Sequence, residues 1–500
     1  MNVIVQAGGR GSRLRHHTWN KPKCLVSVRG KPLLYHLFDK FPDNDFIVIG
    51  DYAFDQLEKY LEVNPPGVNY KLIKTNKKGT ISGIKEALSL VNDSDVLVTW
   101  SDLIINDLPD IKSDSCCLVT TSAFTCRWCV QSDGTLAEIP GDKNGVTGIF
   151  YFKDKKILDT LPEEGEFVKW FSKNINLFET VESNDLEELG DFHNIELQNE
   201  RLGFSRFFND VRISDDTVQK TCIDSKYKNL IDNELSWYKS ITDLGFRRIP
   251  NIISTESYTM TRIKGNHAFD MSDLGTREKR AVLSDYLDAL INLHDLGTKE
   301  SNEEEIIDVY INKTIKRVSE VSSIIPNFDK DSITINGRKC KNVFADKDFF
   351  DSIKKILMPN FFTPIHGDPT FSNSIVDKNL KVWFIDPRGY FSKPGIWGDP
   401  IYDFSKVYYS AVGGYDNFNR RKFKLYIDSE TVEILMQDSL FSNVAREIFD
   451  DFFHKDLYKI EILHGLIWLS LSGYVKDDID SVIGSFYNGL FWLEEGLSKL

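Results

Sequence analysis

Between His366 and Gly389 the chain sets out Asp368, an asparagine five residues later (Asn373) and a second aspartate, Asp386, after a short apolar run. Those types at that spacing suit phosphoryl transfer. The first aspartate can take the proton of an attacking hydroxyl, while the asparagine and the second aspartate hold Mg2+ on the phosphates of ATP. A second place for phosphate chemistry opens the chain, at Ala7-Gly8-Gly9-Arg10-Gly11-Ser12-Arg13-Leu14. Gly8, Gly9 and Gly11 let backbone N–H groups approach phosphate oxygens, and Arg13 adds a delocalised cation for charge-assisted bonds. Leu14 stands where a dinucleotide fingerprint needs glycine, and the Gly-Lys-Ser/Thr of a P-loop is absent. A tight strand-to-helix turn also uses glycine for steric reasons alone.

The elements around these residues follow from apolar patterning. Val3–Val5, Phe46–Ile49, Tyr70–Ile73 and Val96–Thr99 read as strands, and Pro32–Phe41, Tyr52–Leu61 and Thr80–Leu90 as the helices between them. Such alternation predicts a mostly parallel, doubly wound α/β sheet, with ligands at the carboxyl ends of its strands. That places function just after Val5 and just after Trp100. From about residue 199 the pattern changes. Phe207–Ile213, the turn Ser214–Thr217 and Val218–Cys222 read as a hairpin, followed by a helix over Tyr227–Leu244 and a strand at Tyr258–Ile263. Beyond Asp273 the chain reads as helical, interrupted by strands between Phe361 and Phe391. The polar stretch Asn184–Arg201 holds the boundary, giving domains over 1–198 and 199–500.

The opening motif continues into Pro22-Lys23 and Gly30-Lys31-Pro32-Leu33. In that order it resembles the sugar-phosphate and phosphocholine nucleotidyltransferases, which implies a GT-A-like fold. The resemblance implies that the glycines and Arg13 hold an NTP triphosphate and that Lys23 bridges the reacting phosphates. It further implies that Asp102, at the end of its strand, and Asp191, in Gly190-Asp191-Phe192-His193-Asn194, bind Mg2+. Gly79-Thr80 resembles the family's nucleotide-contacting turn, and a helix N-cap by Thr80 explains it equally well. The Glu-Lys-Pro that grips a sugar phosphate in many members is replaced by Glu138-Ile139-Pro140, and the domain is short, closer to the cytidylyltransferase branch that uses CTP.

The second half resembles the aminoglycoside phosphotransferase and choline kinase superfamily through His366-Gly367-Asp368-x-x-x-x-Asn373 and Ile385-Asp386. This implies an α+β, protein-kinase-like domain in which Lys220 binds phosphate and pairs with Glu234. Asp403, in Gly398-Asp399-Pro400-Ile401-Tyr402-Asp403, would brace the catalytic loop, with His366 and His294 structural. Only one glycine, Gly203, lies in the first hairpin loop.

Together the resemblances imply a bifunctional enzyme. ATP phosphorylates a small alcohol, sugar, polyol or amino alcohol, and an NTP, CTP favoured, caps the phosphate ester with release of pyrophosphate. The product would be an NDP-activated precursor for capsule or surface polysaccharide. Choline kinase joined to phosphocholine cytidylyltransferase is one alternative, and a chain in which one half only binds or regulates is another. A formal net charge of -14 argues against nucleic acid or anionic membrane as partners. The absence of a leader-like start and an odd count of seven cysteines suit a reducing cytoplasm. Cys126-Arg127-Trp128-Cys129 has no second pair at zinc spacing and reads as part of a sheet.

Overall fold

The computed structural model describes residues 1–500 except 76–78, 110, 112–114 and 201–208. The chain divides into two compact units. The first comprises 1–201 with 475–480, and the second 202–474 with 481–500.

The first unit is built on a nine-stranded sheet. Its core is parallel, in the order Tyr70–Lys74, Asp45–Gly50, Asn2–Gln6, Val96–Trp100. Apolar residues run through these strands because both faces are covered, as parallel sheets require. The helices Leu33–Lys40, Phe54–Val63 and Thr80–Leu88 connect them. Beyond Val96–Trp100 the sheet changes sense: Gly145–Phe152 joins antiparallel, and Cys116–Thr121 pairs antiparallel to that. The doubly wound expectation therefore holds for four strands, and a mixed extension, in which Phe178–Glu182 pairs parallel with Cys116–Thr121, carries the sheet beyond them. Cys126 and Cys129 are buried free thiols on this extension. Burial pushes the Cys126 thiol up to about 12, so it stays protonated and unreactive near neutrality. Lys21, buried, lies between Asp478 (2.8 Å) and Asp480 (2.6 Å) of the same unit.

The second unit opens with a four-stranded antiparallel sheet, in the order Asn209–Ile213, Thr217–Cys222, Thr259–Thr261, Ile252–Ser254. The helix Lys228–Asp243 follows the hairpin and buries Ile231, Trp237, Tyr238 and Ile241 along one face. The expected start of the first strand at Phe207 and the loop around Gly203 lie outside the described residues. Helices dominate after Thr276, notably Thr276–His294, Pro400–Ala411, Leu457–Ser472 and Ile479–Leu497. The expectation of a single strand-rich interruption needs correction. A further sheet joins Ser332–Ile335 and Arg338–Lys341 to Phe423–Ile427 and Thr431–Met436. The turn Asn336-Gly337, with φ of +46° and +79°, closes the first hairpin as a left-handed two-residue loop demands. Leu457–Ser472 is buried along nearly its whole length. Among the described residues no helix is long and apolar enough to cross a membrane.

Candidate active sites

In the first unit the strand Asn2–Gln6 runs into the glycine loop, and the loop packs against the residues downstream. Gly11 has φ +65°, and a β-carbon on it would sit 3.0 Å from Cβ of Lys23. A β-carbon on Gly8 would meet Asp51 at 2.9 Å, whereas Gly9 faces open space. Lys23 is thereby held at the loop's back, and its ammonium pairs with Oδ2 of Asp102. Asp102 follows the strand Val96–Trp100, at the carboxyl end of the sheet. Glu188 completes the group: a β-carbon on Gly190 would fall 2.0 Å from Glu188 Oε1, 2.9 Å from Asp102 Oδ2 and 2.9 Å from Lys23 Nζ. Arg13, largely exposed, approaches Glu188 Oε1 at 3.6 Å. Burial raises the Glu188 carboxyl's affinity for a proton, and the neighbouring Asp102 adds to the rise against the pull of Lys23 and Arg13. Two carboxylates crowded in this way are a donor set suited to a divalent cation.

Asp191 caps the helix that follows it. Its Oδ1 accepts the Asn194 N–H and its Oδ2 the Asn194 side-chain amide, each at 3.0 Å, where the helix Phe192–Glu200 begins. Both oxygens thus serve the local turn, while Glu188, three residues earlier, faces Asp102. Gly79 has φ +87° and lies against Gly165 so closely that a β-carbon would come within 2.4 Å of its carbonyl oxygen. The N-cap reading of Thr80 also needs correction. Gly79 occupies the cap position, and Thr80 Oγ1 accepts the N–H of Phe167 at 2.8 Å.

In the second unit Lys220 lies on Thr217–Cys222 and Glu234 on Lys228–Asp243, both buried, with Nζ to Oε1 at 2.6 Å. The same ammonium pairs with Asp386. Burial works against the charge on Lys220, but Asp386 and Glu234 more than offset it and raise its proton affinity. Asp386 sits at φ +58°, a conformation uncommon for non-glycine residues and frequent at functional turns. Gly389, at φ +70°, lets this loop touch the helix of Glu234, since a β-carbon would lie 2.5 Å from the Asn233 carbonyl. Asn373 donates from Nδ2 to Asp368 O at 2.9 Å and Oδ2 at 3.2 Å. Asp403, fully buried, accepts the N–H groups of His366 (2.7 Å) and Gly367 (2.8 Å) and bonds His294 at 3.1 Å. His366 Nε2 reaches Ile385 O at 2.9 Å. The loop bearing Asp368 is therefore clamped from Pro400–Ala411 and tied to the strand end bearing Asp386. One turn beyond Asp403, Lys406 places Nζ 3.0 Å from Asp368 Oδ1.

Comparison with known proteins addresses the first unit. The profile of the MobA-like NTP transferase domain matches residues 3–113. The first unit carries a MobA-like NTP transferase domain. In sequence this domain is similar to the bifunctional protein GlmU of Methanocaldococcus jannaschii, 30% identical over 112 residues, which are 21% of this chain and 26% of that protein. It is also similar to the CTP:phosphoglutamine cytidylyltransferase of Campylobacter jejuni, 29% identical over 112 residues, 21% of this chain and 44% of that protein. The chain thus spans well under two thirds of the length of these curated relatives. Among solved structures, the CTP:phosphocholine cytidylyltransferase of Streptococcus pneumoniae aligns at 20% identity over 40% of this chain and 97% of its own, with a TM-score of 0.33.

In the first unit Gly11, Arg13, Lys23 and Asp102 lie together with Glu188, while Gly8 packs against Asp51 and Gly9 stays open. Sequence reading missed Glu188 because an acidic pair, Glu187-Glu188, resembles an ordinary solvated strand end. Its available signal was the glycine two residues on, which the site leaves no room to replace. In the second unit Lys220, Glu234 and Asp386 form one cluster and Asp368 and Asn373 another, joined through His366 and Ile385. Lys406 was missed there, since one lysine on an amphipathic helix carries no mark of its target.

Proposed function

We propose that this chain is a bifunctional enzyme whose second unit phosphorylates a small hydroxyl-bearing metabolite with ATP. The transferase domain then caps that phosphate with a nucleotidyl group. CTP is the favoured donor, in keeping with the donor named for the Campylobacter jejuni relative. The observation that carries the reading is a recurrence: in each unit a lysine is held against two carboxylates beside a strand end. These are Lys23 with Asp102 and Glu188, and Lys220 with Glu234 and Asp386.

In the kinase step the acceptor hydroxyl oxygen bonds the γ-phosphorus and the bridging P–O bond to ADP breaks. Asp368 orients the hydroxyl and takes its proton, and Lys220 holds phosphate oxygens in place of the carboxylate it pairs with here. In the transferase step an oxygen of the phosphate ester bonds the α-phosphorus of the NTP and the bond to pyrophosphate breaks. The open backbone at Gly9 and the Arg13 guanidinium receive the triphosphate, and Lys23 lies between the two anions. Mg2+ would be held by Asn373 and Asp386 in one site and by Asp102 with Glu188 in the other, where it would neutralise phosphate charge. Asp191, expected as a ligand, is proposed here to fix the turn that carries Glu188. The NDP-linked product is of the type used as a precursor in capsule or surface-polysaccharide decoration, made in the cytoplasm where both nucleotides are available.

Incubation of the full chain with ATP, Mg2+, each NTP and a panel of alcohols, followed by mass spectrometry, tests this. The expected products are ADP, pyrophosphate and one NDP-linked alcohol. Phosphate esters that are never capped, by a chain that binds CTP, would overturn the division of labour.

A further inference from the structure

Three tyrosines around Lys406 and Arg388, namely Tyr402, Tyr409 and Tyr390, already lie against cations of the protein itself. Tyr402, buried, precedes Asp403 on the helix Pro400–Ala411, and cations from three elements converge on it. Lys313, which opens the helix Lys313–Ser319, places Nζ 5.5 Å from the ring centre. Lys406 places Nζ 5.9 Å from the same ring and 5.3 Å from that of Tyr409. Arg388, from the loop after Asp386, donates to the Tyr402 hydroxyl at 3.2 Å and lies 4.0 Å over the ring of Tyr390. Lys406 in turn reaches Asp368 Oδ1 at 3.0 Å, so the cluster begins at the carboxylate proposed to take the acceptor's proton.

Like charges gathered in a half-buried place repel strongly unless an anion answers them. Asp368 and Asp308 are carboxylates that act on this group. Asp368 is shared with Lys406, and Asp308 already accepts the Ser392 hydroxyl at 2.8 Å. Among the described residues the Lys313 ammonium has no carboxylate in ion-pair contact. Burial, reinforced by Arg388, Arg317 and Lys406, holds Lys313 well below the ordinary lysine range. A negative group placed among these cations reverses that penalty.

Resting on the phosphotransferase reading above, we propose that the acceptor is an anionic alcohol, a hydroxyl compound bearing a carboxylate or phosphate, with its negative group held by Lys313, Arg388 and Lys406. A quaternary ammonium acceptor needs free aromatic faces and uncompensated negative charge. Here the faces of Tyr402, Tyr409 and Tyr390 carry lysine and arginine side chains.

The test is ADP release by the full chain with Mg·ATP, using matched acceptors: glycerol against D-glycerate and glycerol 3-phosphate, D-glucose against D-glucuronate, and choline. At least one acid is expected to exceed its neutral partner at least tenfold in kcat/KM, and glycerate against glycerol 3-phosphate separates carboxylate from phosphate. Lys313→Met should raise KM for that acid about tenfold with kcat within about threefold, and Lys313→Arg should restore it. Calorimetric titration of the acids in the presence of Mg·ADP gives a readout independent of turnover. Preference for choline or a neutral alcohol, or acids that are neither bound nor turned over by a chain that binds Mg·ATP, would overturn the charge assignment. Should Lys313→Met not fold, the preference of the unaltered chain still decides. Failure of the kinase reading is distinct: Mg·ATP would not bind, or Asp368→Asn would leave ADP release unchanged.

Discussion

Glu188 and Asp191 stand three residues apart and have different partners. The first faces Asp102 and Lys23, whereas both oxygens of the second are taken by Asn194. Glu188→Gln is therefore expected to lower the rate of pyrophosphate release at least about tenfold, since a lost charge-assisted contact costs ~1.5–3 kcal/mol and ~1.4 kcal/mol is tenfold. Asp191→Ala should cost about 1 kcal/mol of stability, as for a lost helix cap, with the rate far less affected. The two are compared by pyrophosphate assay beside thermal unfolding, and the reverse ranking would return Asp191 to the metal. In the second unit the proposed kinase reading separates base from ligand. Asp368→Asn should lose turnover by ~10²–10⁴-fold while keeping Mg·ATP affinity, and Asp386→Ala should lose metal-dependent ATP binding as well. Titration of Mg·ATP into each variant, beside ADP release, distinguishes them.

At the scale of elements, the helix Pro400–Ala411 organises the second unit. Asp399 caps it by accepting the Ile401 N–H at 3.0 Å, Asp403 clamps the loop of Asp368, and Tyr402 and Lys406 form its charged face. The short helix Tyr415–Asn419 follows it and buries Asp416, whose carboxyl is pushed up to about 7 chiefly by desolvation. That raised value has a sign. From about pH 4 to pH 7 the unfolded chain releases this proton while the folded one keeps it. Stability should therefore fall as pH rises, by up to ~1.4 kcal/mol per unit, and level off above about 7. Asp416→Asn removes the effect, so urea unfolding of variant and wild type should diverge across that window. Parallel curves would show that Asp416 is charged when folded.

At the scale of the molecule, the first unit takes in residues 475–480. Lys21 is buried between Asp478 and Asp480, and their charges raise its proton affinity against the opposing effect of burial. Breaking a buried pair by removing one side costs about 3–5 kcal/mol. Within the full chain, Lys21→Met should therefore lower the unfolding midpoint of this unit. In a fragment ending at residue 201, which lacks both aspartates, the same substitution should raise it. Calorimetry of the four proteins checks the crossing, and a fragment indifferent to Lys21→Met would show that the pair adds nothing.

The sequence by itself determined the local chemistry. The glycine loop with Arg13 and Lys23 and the set Asp368, Asn373, Asp386 each declare themselves through spacing along one stretch of chain. The parallel strands were legible from the apolar runs that two covered faces impose, and the hairpin of Lys220 from its turn. Tertiary structure decided what distance along the chain conceals. Glu188 meets Asp102 across the Gly190 turn, and Asp191 caps the helix that follows. The sheet joining 332–341 to 423–436 required pairing of Thr334 with Thr431 and Ile335 with Val432 across a long stretch of helices, strands and loops. The charge around Asp368 was the least legible of all. Lys313, Arg388 and Lys406 lie on separate elements, and only their packing around Tyr402 turns cations that the sequence leaves unremarkable into the proposed site for a negative group.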